Sequence, residues 1–305
     1  MGLFSKDYES AGAGISKNGP KKTGIRLYFD ILWRKIWKLF GLNLLYMLFF
    51  VPLAAGFLLL FKIDNSTAAF AALGICLLIF AVLIGPATAG LTRVMRHYVI
   101  EKPTFAVHDF FKGFKNDFGR ASIIGIVDIL MLLSVYAGYR IYPQMAEQFN
   151  SKVFYVLYAL SLSVALVVIM MNFYIFLMLT ATDLSFLNLI KNSFALMFVS
   201  IKTSLLTFLI VGAVFAAMIF LIPLSILLFI LPFFPMAFLC FTVCFICYPV
   251  IQKYVINPFY TAQGLVNPEL CDGDQDDDEE ALCEDMGGKE KPIEKRPKGK
   301  GKRIS

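Results

Sequence analysis

The sequence predicts an all-α membrane protein of about six transmembrane helices, with amphipathic interfacial helices preceding spans one, three and five. Three observations carry this. The 305 residues are 58% hydrophobic and only 16% charged, with a mean hydropathy of +0.71, too apolar a composition to cover a soluble surface. Uncharged runs long enough to cross a hydrocarbon core, which takes about 20 helical residues, occur at Leu39–Phe61, Asn65–Thr92, Val153–Thr182 and Thr203–Gln252, and Ala121–Tyr139 is interrupted only by Asp128. The last uncharged run is about twice the length of one span and holds Pro223, Pro232 and Pro235 near its middle, which suits a hairpin.

Basic residues set the orientation, because Lys and Arg are retained on the cytoplasmic side. Lys6, Lys17, Lys21, Lys22, Arg26, Arg34, Lys35 and Lys38 precede span one, and Arg93, Arg96, Lys102, Lys112, Lys115 and Arg120 lie between spans two and three. The opposite loops carry only Lys62, Arg140 and Lys152. The expectation is a multi-pass cell-membrane protein with both termini cytoplasmic. Its net charge of +6 then reflects topology, and no nucleic-acid partner is expected. Residues 1–24 lack an apolar signal core and read as a disordered cytoplasmic N-terminus, 25–262 as the polytopic domain, and 263–305 as a disordered acidic-then-basic tail.

Within the polytopic domain Asp30, Asp109 and Asn188 recur at a spacing of about 79 residues, each early in a segment leading into a span: YFDILWRKIWKL, VHDFFKGFKNDF and FLNLIKNSFALM. Their apolar positions share one helical face. Each is expected to lie in the headgroup region, with Trp33, Trp37 and the Phe side chains toward lipid. Arg34, Lys38, Arg93, Arg96, Lys112 and Lys115 are the candidate contacts to anionic headgroups. The unit would be an interfacial helix, a span out and a span back, three times over.

Span two ends in GPATAG, Gly85 to Gly90, and continues as a basic, aromatic strip. Pro86 removes one backbone donor and clashes with the carbonyl of Val82, so the helix is expected to kink at this junction. Gly85, Ala87, Ala89 and Gly90 would let another helix approach closely. Gly85, Pro86, Ala89 and Gly90 are therefore the candidate helix-junction motif.

Asp128 is the one charged residue inside a predicted span, roughly 10 Å into its helix at about 1.5 Å per residue. An unpaired charge at a helix centre costs about 2.5–3.5 kcal/mol on insertion scales. Asn172, on the returning span, falls at similar depth and is the expected partner. The pair reads either as an interhelical hydrogen bond or as an ion or proton site.

The run GPATAGLTRVMRHYVIEKPTFAVHDFFKGFKNDF resembles the YesL-like family of bacterial integral membrane proteins, a domain of unknown function. The resemblance rests on Pro86, Ala87, Thr88, Ala89, Arg93, Glu101, Pro103, Phe105, Phe110, Phe111, Lys115 and Phe118, with Leu42, Asn43, Leu44 and Leu45 upstream, and covers roughly Ile25 to Lys202. It implies no established biochemical activity. Members of this family are often encoded beside carbohydrate transporters and sensor kinases, which implies an accessory role in sugar uptake or sensing and a transporter or sensor complex as partner.

Enzyme chemistry is not signalled. The sequence has no HExxH, GxSxG, phosphate loop or intramembrane carboxylate pair, so no cofactor is expected. Cys240, Cys244 and Cys247 share a helical face but lack a fourth ligand at that depth, and read as packing residues. DGDQDDDEEALC begins like a calcium loop, yet Asp277 stands at the turn glycine and Cys283 at the bidentate Glu. Two functions remain open: a non-enzymatic accessory or scaffold component, and a small-solute or ion transporter or channel using Asp128 and Asn172.

Overall fold

A computed structural model describes residues 24–223, 226, 230–232, 235–265, 267 and 269. Among these the protein is all-α, and six helical segments are long and apolar enough to cross a membrane: Ile25–Lys62, Ser66–Val99, Phe118–Gln148, Val153–Ala181, Ile201–Leu221 and Pro235–Ala262. The chain is a multi-pass membrane protein. The first 23 residues, the acidic block at Asp272–Glu280, Cys271, Cys283 and the basic C-terminus lie outside the described residues.

The first span is helix α1 (Ile25–Met47), a 3-10 turn at Leu48–Phe50, and α2 (Val51–Lys62). Tyr28–Leu39, expected as a separate interfacial helix, is the first part of α1. Nothing at Lys38 or Leu39 interrupts backbone hydrogen bonding, whereas Pro52, in the first turn of α2, has no N–H to donate and marks the real break. Span two is α3 (Ser66–Val99), begun by the Asn65 side chain, which accepts from the N–H groups of Thr67 and Ala68 at 3.0 and 3.3 Å.

Helix α3 stops in a Schellman turn. The Lys102 N–H donates to the His97 carbonyl and the Glu101 N–H to that of Tyr98, with Glu101 at φ +54°. Pro103 follows and prevents resumption of the helix. Helix α4 (Ala106–Asn116) then begins, and Asp109 reaches back to accept from the Phe105 N–H at 3.2 Å. Asp117 alone separates α4 from span three, α5 (Phe118–Gln148). Asn150, at φ +49°, closes α5 in a second Schellman turn.

Span four, α6 (Val153–Ala181), is followed by α7 (Phe186–Val199). Ser200 alone separates α7 from α8 (Ile201–Leu221). The last span comprises α9 (Pro235–Ile251), a π-helical turn at Gln252–Ile256, and α10 (Asn257–Ala262). Helix α3 packs against α2, α4, α5, α6 and α9, so the segment carrying GPATAG is the one around which its neighbours are organised.

Beyond residue 263, where the tail is expected to begin, described residues contact α10. Asn267 is buried, its amide donates to Asn257 Oδ1 at 2.9 Å, and it accepts from the Glu269 N–H at 3.0 Å. These contacts tie the chain beyond α10 back onto α10 itself.

Candidate functional site

GPATAG forms a three-helix junction. A Cβ on Gly85 would stand 1.9 Å from the Ala121 carbonyl oxygen of α5, and one on Gly125 would stand 2.8 Å from the Gly85 nitrogen. The two backbones are therefore in direct contact, which only glycine permits. Five residues on, about 140° around the helix, Gly90 faces a different neighbour. Its added Cβ would be 2.6 Å from the Phe110 carbonyl oxygen of α4, while one on Gly113 would meet the Gly90 Cα at 3.0 Å. Ala87 and Ala89 between them are fully buried.

Pro86 lies inside α3, which runs on through it. Its missing N–H leaves the Val82 carbonyl without its helical donor, and Ser122 of α5 supplies one: its hydroxyl donates to Val82 O at 3.0 Å. A serine on a neighbouring helix thus restores the hydrogen bond that proline removes, as a low-dielectric surrounding demands. Two residues after Pro86, the Thr88 hydroxyl donates to the Ile84 carbonyl at 2.8 Å and lies 3.0 Å from the Tyr46 hydroxyl.

Asn172 donates its amide to Asp128 Oδ1 at 2.6 Å, so the structure brings this sequence-predicted pair together. The bond joins α5 to α6 beside two cavities. Asp128 lines one of about 550 Å³ with Phe50, Phe80, Thr88 and Gly125. Asn172 lines another of about 200 Å³ with Thr92, Cys240 and Cys244. Thr88 and Phe176 border both. The cavities are otherwise lined mainly by apolar side chains, and the Asn172 amide oxygen is buried without a hydrogen-bond partner. Asp128→Asn is expected to stay within about 1 kcal/mol of the parent, because an amide still meets Asn172. Asp128→Leu strands the Asn172 amide and should lose about 1–3 kcal/mol, read as a lower midpoint in detergent unfolding.

The basic residues divide into two groups. Arg34, Lys38, Lys112 and Lys115 are exposed, and Arg34 also pairs with Asp30 one turn away at 3.8 Å. Arg93 and Arg96, by contrast, are buried, only 9% and 8% exposed. The strip that follows GPATAG is covered by α4, held there through Gly90 and Gly113, and by the last span and the segment beyond it, where Arg96 pairs with Glu269 at 3.3 Å. Among the described residues no group of three or more His, Cys, Asp or Glu side chains is placed to hold a metal ion. Cys240 and Cys247 lie 3.7 and 3.5 Å from the hydroxyls of Thr92 and Thr207.

This junction is where the chain meets known proteins. Residues 39–139 match the family described as protein of unknown function, DUF624. It is the YesL-like family that the sequence resembles. The DUF624 match takes in α2, α3, α4 and most of α5, hence every glycine of the junction and both Pro86 and Ser122, and is shorter than the Ile25–Lys202 stretch of resemblance. No curated protein and no solved structure matches the chain.

Several site residues carry no distinctive sequence signal. Asn43, fully buried on α1, donates to the Leu231 carbonyl at 2.8 Å and accepts from the Ala237 N–H at 2.9 Å. It therefore satisfies an otherwise orphaned donor in the first turn of α9. Tyr174 places its hydroxyl 2.8 and 2.9 Å from those of Ser200 and Ser204, tying α6 to the α7–α8 junction. Asn43 lies within the upstream LNLL resemblance, which is the one hint available. Tyr174 and its serines have none, since hydroxyl residues are common in membrane helices.

Proposed function

We propose that this protein is a non-enzymatic accessory component of a membrane complex, serving carbohydrate uptake or sensing, and that α4 is its docking element. The observation that supports this is the fixing of α4. Two glycine contacts press α4 onto α3, yet Phe105, Val107 and Phe111 remain exposed, as do Lys112 and Lys115. A helix so firmly held, with an apolar and basic outer face, is suited to the headgroup region and to a neighbouring subunit. The carbohydrate connection rests on the family resemblance.

Both termini are placed in the cytoplasm by the Lys and Arg asymmetry. Single cysteines replacing Asn65 or Asn150 should then react with an impermeant reagent on intact cells, and one replacing Ser16 should not. Labelling at Ser16 alone would invert the topology.

A second reading, a small-solute or ion transporter, is favoured by the two cavities flanking Asp128 and Asn172. The experiment that separates the readings uses a photo-reactive residue at Phe111 in native membranes and the purified protein in liposomes. Recurrent cross-linking to one transporter or sensor subunit, with no flux from the purified protein, supports the accessory role. Solute flux abolished by Asp128→Leu, without a cross-linked partner, overturns it in favour of transport.

A further inference from the structure

Where α3 and the last span end, a buried cation is met by the chain's own carboxylate. Arg96 reaches the Glu269 Oε1 through Nη1 at 3.3 Å, and the same Nη1 lies 3.5 Å from the Tyr248 hydroxyl. Its guanidinium carbon stands 5.8 Å from the centre of the Tyr248 ring. The other carboxylate oxygen of Glu269 accepts from the Tyr248 hydroxyl and, at 3.4 Å, from the Gln252 amide. Gln252 opens the π-helical turn, a widened turn of the kind that often marks functional positions.

Two features mark this as a binding site more than a simple ion pair. Arg96 uses only Nη1 toward the carboxylate, while its Nε is buried with no partner. A guanidinium presents a fork of donors, and a group with a third acceptor oxygen can occupy more of it than a carboxylate approaching one nitrogen. Glu269 also lies only a short way beyond α10 and is held there by hydrogen bonds from its N–H to Asn267 and from the Asn267 amide to Asn257. A buried arginine cannot be left without an anion, so Glu269 leaves only when another oxyanion takes its place.

We propose that Arg96, Tyr248 and Gln252 form a phosphate-binding site that Glu269 occupies as an intramolecular substitute, so that an arriving phosphate group displaces Glu269 and loosens its tie through Asn267 to α10. The phosphate belongs either to an anionic lipid headgroup or to a soluble ligand. The site is independent of whether the protein is an accessory component or a transporter.

The test is hydrogen exchange of the full-length protein in phosphatidylcholine nanodiscs, followed by mass spectrometry of peptides spanning Gln252 to Glu269. Inorganic phosphate is added in one arm, and phosphatidylglycerol replaces part of the lipid in the other, with chloride at matched ionic strength as control. Faster exchange with inorganic phosphate alone assigns a soluble ligand, and faster exchange with phosphatidylglycerol alone assigns a headgroup. Glu269→Gln should exchange rapidly without either. It should also bind inorganic phosphate at least about tenfold more tightly than the parent, because the competing occupant is weakened. Unchanged exchange of the parent in both arms, or an equal response to chloride, overturns the proposal whether or not the variant folds.

Discussion

Gly85→Ala is expected to abolish folding, although it adds a single methyl group. The new Cβ would lie 1.9 Å from the Ala121 carbonyl oxygen and 2.6 Å from its carbon, and both are backbone atoms of a neighbouring helix that no rotamer change can move. The helices must separate, which disrupts the Gly85–Gly125 contact and draws Ser122 away from Val82. A loss above about 4 kcal/mol is expected, in the range reserved for severe overpacking, so no monodisperse protein should be recovered after detergent extraction. Gly90→Leu should act similarly through α4, with its Cβ 2.6 Å from the Phe110 oxygen. Gly74→Ala is the control. Nothing lies within 4 Å of the added Cβ there, and alanine in a helix should be neutral or stabilising by roughly 0.5–1 kcal/mol. Equal yields from Gly85→Ala and Gly74→Ala would show that α3 and α5 do not meet at this point.

Asn43→Leu is the second large effect. The substitution keeps the volume approximately but strands both the Leu231 carbonyl and the Ala237 N–H. Each orphaned buried group costs about 1–3 kcal/mol, giving a combined loss of roughly 2–6 kcal/mol. Asn43→Asp should be intermediate, since its carboxylate still accepts from Ala237 but cannot donate to Leu231. The measurement is the denaturation midpoint in a fixed lipid–detergent mixture. A Leu variant as stable as the parent would remove the link between α1 and the start of α9.

Five apolar runs, the last about twice the length of one span, are visible in the sequence because a hydrocarbon core demands about 20 residues at a time. The Asp128–Asn172 bond follows from counting depth along two helices. Partners set by distant parts of the chain are less accessible. Nothing near Arg93 or Arg96 shows that these cations are buried, because Glu269 lies far along the chain. Local pattern alone therefore places these charges at the lipid surface. Pro86 announces that a carbonyl loses its donor, but not that Ser122 replaces it. The end of α3 is obscured differently: Glu101 occupies the left-handed position that glycine usually marks, leaving Pro103 as the visible stop. The second and third segments of the 79-residue pattern, in α4 and α7, are each followed by a single non-helical residue, Asp117 and Ser200, before a span, whereas the first runs on unbroken within α1.

GPATAG is completed by α5, with Ser122 supplying the donor that Pro86 lacks. A double-mutant cycle tests it most directly. Ser122→Ala should destabilise the parent by about 1–2 kcal/mol, the worth of a buried hydrogen bond whose acceptor is left unsatisfied. In the Pro86→Ala background the restored N–H serves the Val82 carbonyl, and Ser122→Ala should then cost less than about 0.5 kcal/mol, leaving a coupling energy of about 1 kcal/mol or more. Equal losses from Ser122→Ala in both backgrounds would contradict the claim.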